Sequence, residues 1–259
     1  MEHSSNDVVQ VVIRTMSIVE TLAKSKGSLG ITQIAKETEL SKATVSRLLN
    51  TLMVSGYVQR ESRTREYKLG LKFLEISSSI IERQDIRDIA RPYLNRLSNA
   101  TKEIVHLAIM DRDEIVYIDK VEGGEHAVRI FSVVGKRSPM HCTGLGKAFL
   151  STLTDAEVEE VVVRKGLKKY TANTITSLDH LKKELAKIRA KGCSYDEAEH
   201  EIGIWCVAAP ILDNNGKAIA AISVTVPEIY MSEERKLEFS EKMIGVSNEI
   251  SRQLGYMKR

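Results

Sequence analysis

The sequence predicts an α+β chain with a mainly helical front and an antiparallel-sheet rear. Three observations point there. All four prolines, Pro92, Pro139, Pro210 and Pro227, lie beyond residue 91, and proline is poorly tolerated inside helices. Beyond residue 100 the apolar spacing shifts from a helical period towards the β-rich runs of strands. Turn signals there join neighbouring strands as hairpins, while the helical patterns stand apart from them, as in an α+β domain and not a doubly wound one.

Taken in order, Val12, Met16, Val19 and Leu22 form the apolar face of a first helix. Residues 30–37 predict a short helix with Thr32 as N-cap, residues 38–40 a turn, and Ser41 the cap of a second helix. That helix carries Val45, Leu48, Leu49 and Leu52 at i, i+3, i+4 and i+7. Residues 57–60 and 66–69 predict two strands around the basic turn 61–65. Leu71, Leu74, Ile76, Ile80 and Ile81 return to helical spacing, and Ile86, Ile89, Ala90, Tyr93, Leu94 and Leu97 continue it; Pro92 either kinks or starts that second stretch. The expected boundaries are residues 1–70, a helical linker at 71–84, and a rear domain at 85–259.

In the rear, residues 104–110 and 115–121 read as a hairpin, 128–134 as a third strand, and 207–212 and 218–226 as two more joined by Asp213-Asn214-Asn215-Gly216. Thr154 and Glu157 form a capping box for a helix to about residue 163. Ser177 caps another, which ends near residue 191 with Gly192 at C′. A last amphipathic helix spans residues 232–254.

Composition excludes several classes. Hydrophobic residues make up 42% and charged residues 28% of 259, a globular balance that makes two domains the expectation. The longest near-continuous apolar run, residues 204–212, has 9 residues, far below the roughly 20 that span a bilayer. The N-terminus lacks the pattern of a secretory signal. Cys142, Cys193 and Cys206 are too few and too scattered for a disulfide framework, so a reducing cytoplasm is the expected location.

The net charge of +3 is uninformative until it is resolved by position. Residues 1–83 hold 12 basic and 9 acidic side chains, and the remainder 26 of each. Between residues 40 and 72, seven basic side chains face only Glu61 and Glu66, an electrostatic footprint that suits nucleic acid. On the second helix, the face opposite the apolar stripe holds Ala43, Arg47 and Asn50, flanked by Thr44, Ser46 and Thr51. These offer a methyl, an amide, hydroxyls and a guanidinium, the groups that read base edges in the major groove. Ser41, Lys42 and the helix N-terminus suit phosphate. Arg63 and Arg65 at the hairpin tip, with Lys68 behind them, suit phosphate or the minor groove. The segment therefore reads as a winged helix-turn-helix that binds double-stranded DNA.

Residues 34–36, 40–49, Leu52 and 56–58 resemble the winged helix-turn-helix of the IclR family of bacterial transcriptional regulators, and the resemblance resumes at 135–148 and 195–211. It covers nearly the whole chain. It implies a GAF-like rear domain that binds a small organic acid, such as a 2-oxo acid, sugar acid or aromatic carboxylate. Carried over, the effector-binding residues are Thr143, Gly144, Leu145, Asp196, Cys206, Ser223 and Thr225. The resemblance further implies control of a catabolic operon, with repression expected, and no cofactor.

The residues themselves leave more open. The stretch Gly144-Leu145-Gly146-Lys147 fails as a phosphate loop, since the positions that need Gly and Ser or Thr hold His141 and Ala148. A helix start that holds a carboxylate and a tight turn packed on the sheet remain equal readings. Asp196 beside an anion either receives a hydroxyl or is protonated. Cys206, His200 and Asp196 would suit a cysteine hydrolase, but the segment shows no helix N-terminus to lower the thiol pKa, so no catalytic role is expected. His126, His141 and the cysteines lack metal-ligand spacing. A rear domain that only assembles oligomers is the alternative to a sensor. Palindromic operators mirror two-fold proteins, so a homodimer is expected through the first helix and the linker, and pairing of the rear domains would extend it to a tetramer.

Overall fold

In the computed structural model the described residues are 9–25, 27–76, 85–123 and 133–256. The chain separates into two compact units, residues 1–83 and 84–259.

In the front unit, α1 (Gln10–Lys24), α2 (Ile31–Thr38) and α3 (Lys42–Val54) precede a hairpin of β1 (Val58–Arg60) and β2 (Tyr67–Leu69); residues 72–76 are helical. Ile18, Leu22, Ile34, Val45, Leu49, Leu52, Val58 and Tyr67 close its core. The cap of α2 is Gly30, without a side-chain hydrogen bond, so the expected Thr32 cap is wrong. Reciprocal backbone hydrogen bonds of 2.9 and 2.8 Å tie Leu29 to Tyr67. They hold the chain extended up to residue 29, and the Gly30 carbonyl then accepts from Gln33 and Ile34. Glu39 takes a left-handed conformation (φ 56°) that ends α2 and turns the chain into α3.

The rear unit orders its elements as α4 (Asp85–Thr101), β3 (Ile104–Asp111), β4 (Glu114–Val121), β5 (Arg137–Pro139), α5 (Gly144–Leu150), α6 (Asp155–Lys165), α7 (Leu178–Lys191), β6 (Ser194–Glu197), β7 (Ile204–Leu212), β8 (Ala218–Pro227) and α8 (Glu233–Gln253). The strands form one antiparallel sheet in the order β5-β4-β3-β8-β7-β6. The capping box at Thr154 and the cap at Ser177 form as expected, and Ser232 caps α8 by accepting the Arg235 N–H. Pro92 lies inside α4 and does not start it. Residues 128–132 lie outside the described ones, and Val133 and Val134 precede β5 without joining a strand. The short edge strands β5 and β6 were not expected.

Alternation along the strands separates two cores. Val105, Leu107, Val207, Ala209, Ile222 and Val224 face α4 and α8. Their neighbours Ala108, Ala208 and Ala221 pack against α5, α6 and α7. On that second face, towards one end of the sheet, the alternating positions turn polar: His106, Cys206, Ser223 and Thr225. Among the described residues, no helix is long and apolar enough to cross a membrane.

Candidate functional site

In the front unit, Ser41 caps α3 by accepting the Thr44 N–H at 3.2 Å, and its hydroxyl also meets the Thr44 hydroxyl at 2.9 Å. Thr44 and Ser46 are half-buried, whereas Lys42, Ala43, Arg47 and Asn50 are exposed on one face. Arg63 and Arg65 stand exposed in the wing turn, and no ion pair is formed by Lys42, Arg47, Arg63 or Arg65 with any described residue. Lys68 differs, because its ammonium is 2.8 Å from Glu61. Four unpaired cations beside a capped helix are what a polyanion would meet.

The seven rear positions, spread from Thr143 to Thr225 in the sequence, line one small cavity of about 40 Å³. Gly144 explains the close seat of α5: a Cβ there would lie 3.3 Å from Ala208 Cβ and 3.4 Å from Cys206 Cβ. Gly146 is still tighter, since its Cβ would fall 2.3 Å from the Met140 backbone. The Thr143 hydroxyl accepts the Gly146 N–H at 3.1 Å and donates to the Pro139 carbonyl at 2.7 Å. The N–H groups of Gly144 and Leu145 have no acceptor among the described residues, which leaves the positive end of the helix open.

Facing that end, β8 presents Ser223 and Thr225. The Thr225 hydroxyl already meets Cys206 Sγ at 3.3 Å and His106 Nδ1 at 3.2 Å. The Ser223 side chain is buried and has no partner among the described residues, so it is the floor hydroxyl with bonding capacity to spare. Asp196 Oδ1 accepts the Glu199 N–H at 2.8 Å. Burial pushes the Asp196 carboxyl up to about 7, helped by the Glu199 charge. Burial and then the Lys120 ammonium hold His106 down at about 3. His106, Tyr117, Lys136, Ser138, His200, Glu201 and Ile204 complete the lining, and the sequence had not singled them out as effector contacts. His106 carried a signal: it is the polar residue between Val105 and Leu107 in a buried strand.

A helix N-terminus does reach Cys206, brought from α5 and not from its own segment. Burial nevertheless pushes the Cys206 thiol up, away from the thiolate a nucleophile needs. His200, likewise held neutral by burial, meets the Tyr170 ring edge-to-face at 5.1 Å.

A winged helix with a cationic reading face, joined to a sheet unit with a polar cavity, defines a DNA-binding regulator of two parts. The model of the C-terminal domain of the bacterial transcriptional regulator IclR matches residues 78–252, and that of the IclR helix-turn-helix domain matches residues 11–62. The chain therefore belongs to the IclR family of bacterial transcriptional regulators and is a regulator, not an enzyme. It is 33% identical over 252 residues to the transcriptional repressor IclR of Escherichia coli (strain K12), covering 96% of this chain and 92% of that one. To the regulator KdgR of the same organism it is 34% identical over 250 residues, covering 96% and 94%. Thermotoga maritima IclR superposes with a TM-score of 0.80 at 36% identity, covering 95% and 98%. An IclR homolog of Microbacterium hydrocarbonoxydans, solved with 4-hydroxybenzoate, shares the fold with a TM-score of 0.80 at 22% identity, covering 94% and 100%.

Proposed function

We propose that this protein is an effector-responsive transcriptional repressor that acts in the cytoplasm, binds a palindromic operator and releases or engages it on binding a small organic acid. The observation that carries the reading is the convergence of Thr143, Gly144, Leu145, Asp196, Cys206, Ser223 and Thr225 on one cavity. The unpartnered N–H groups of Gly144 and Leu145 suit a carboxylate, and the Ser223 hydroxyl suits a second polar group on the same acid. The repressors among its relatives and the acid held by the Microbacterium homolog support the same assignment. On this reading the segment to residue 70 binds DNA, 71–84 links, and 85–259 senses.

DNA contact falls to Ser41, Lys42, Ala43, Thr44, Ser46, Arg47 and Asn50 in the groove, with Arg63, Arg65 and Lys68 on the wing. Homodimerisation falls to α1: its Ile18 and Leu22 are buried, whereas Val12 and Met16 are 51% and 52% exposed, more apolar surface than one front unit covers. The effector would bias the rear unit between two states and so respace two reading heads. The controlled genes would serve catabolism of the sensed acid. A thermal-shift panel of 2-oxo acids, sugar acids and aromatic carboxylates, followed by operator titration with any acid that stabilises the protein, tests the proposal. A stabilising acid that leaves operator affinity and footprint unchanged would sink it.

A further inference from the structure

We infer that the cavity takes up its anion together with one proton shared by the Asp196–Glu199 pair, so that Asp196 meets the effector as a hydrogen-bond donor. The inference rests on reading this cavity as the effector site. It starts from Lys147, which is 1% exposed and sits on the same short helix that offers its first N–H groups to the cavity. Its ammonium pairs with Glu199 Oε1, while Glu199 Oε2 is buried without a partner among the described residues. The Glu199 N–H in turn donates to Asp196 Oδ1 at 2.8 Å. Two buried carboxylates, 4% and 7% exposed, thus stand beside one buried ammonium, which pairs with Glu199 and not with Asp196. Fully ionised, the trio would bury a net negative charge away from water, which is costly without further compensation.

The surroundings do not remove that charge. His106 on β3 and His200 beyond β6 are held neutral by burial. The thiols of Cys206 on β7 and Cys142 before α5, and the Tyr117 phenol on β4, are pushed up and stay neutral too. Glu201 adds negative charge at the mouth, 3.8 Å from Lys136. A proton on the carboxylate pair is the remaining compensation, and burial already holds the Asp196 carboxyl up to about 7 before any anion arrives. An anion on the N–H groups of Gly144 and Leu145 adds a second negative charge and tightens that proton. Above pH 7, binding therefore draws a proton from the buffer, and affinity falls by up to about tenfold per pH unit.

Calorimetric titration of the full chain with pyruvate, gluconate and benzoate tests this. These acids stay ionised from pH 6.5 to 8.5, and buffers of different ionisation enthalpy reveal the proton count. Expected are an uptake near one proton at pH 8.5, little at pH 6.5, and at least tenfold weaker affinity at the higher pH. Asp196→Asn places a permanent N–H donor there, and should bind the same acid with equal affinity at both pH values and no uptake. Equal affinity and no uptake in the unmodified protein overturn the inference and leave the effector site standing. Loss of binding in Asp196→Asn, or an unchanged pH slope in it, also overturns it. If none of the three acids binds at either pH, the effector reading itself fails and takes the inference with it.

Discussion

Gly146→Ala tests whether the close seat of α5 builds the cavity. Within a helix the exchange should stabilise by about 0.5–1 kcal/mol, because alanine loses less backbone freedom on folding. The added Cβ would nevertheless stand 2.3 Å from the Met140 Cα and carbonyl oxygen. Those are backbone atoms and cannot rotate aside, so the start of α5 must retreat by about 1 Å to reach van der Waals distance. Overpacking of this kind costs about 1–3 kcal/mol and more against backbone, so the clash outweighs the propensity and the net loss should be about 2 kcal/mol. For a unit of this size that lowers Tm by about 4–8 °C. The retreat also carries the Gly144 and Leu145 N–H groups away from the floor, so stabilisation by an acid should disappear with it.

Gly245→Ala is the internal control. Gly245 also lies in a helix, but a Cβ there meets nothing within 4 Å, so propensity alone acts and the variant should gain about 0.5–1 kcal/mol. Trp205 is the only tryptophan and lies in the rear unit, so its fluorescence in a urea titration reports that unit alone. A Gly146→Ala protein as stable as its parent would refute the packing argument, and a destabilised Gly245→Ala would show that the Cβ test misjudges both sites.

Three further outcomes follow from the same geometry. Arg47→Ala should weaken operator binding far more than binding to random DNA, whereas Arg63→Ala should lower both alike and reduce the salt slope by about 1; gel-shift titrations over a range of salt separate the two. Ser41→Ala removes the bond to the Thr44 N–H and should cost about 1 kcal/mol of front-unit stability by chemical denaturation. His106, held at about 3 when folded against 6.5 when exposed, withdraws stability as pH falls from 6.5 towards 3. Asp196, held at about 7 against 3.8, contributes stability over the nearly opposite course as pH falls from 7 to 4. The two largely cancel between pH 6.5 and 4, so Asp196→Asn should make acid unfolding steeper and His106→Gln should make it shallower.

Local chemistry was legible in the sequence and register was not. The face of α3, its Ser41 cap and the wing follow from residues within one or two turns of each other, and each formed where spacing placed it. Thr32 misled because the start of α2 is set by Leu29 pairing with Tyr67, 38 positions away. The strands β5 and β6, Arg-Ser-Pro and Ser-Tyr-Asp-Glu, are edges too short and too polar to show alternation.

The cavity shows the same limit more sharply. Thr143, Gly144, Leu145, Asp196, Cys206, Ser223 and Thr225 entered through a family resemblance, because nothing local says that β3, β7 and β8 align in register. Once Ser223 is seen opposite both His106 and Ala208, and Thr225 opposite Cys206, the division of labour on the floor becomes physical. Thr225 spends its hydroxyl on Cys206 and His106, and Ser223 keeps its own. The two hydroxyls alternate to one side of one strand, as the sequence alone implies, yet register separates a structural hydroxyl from one free to meet a ligand. Ser223→Ala should therefore remove an effector contact at little cost in stability, whereas Thr225→Val should disturb the thiol and imidazole of the floor before any ligand arrives.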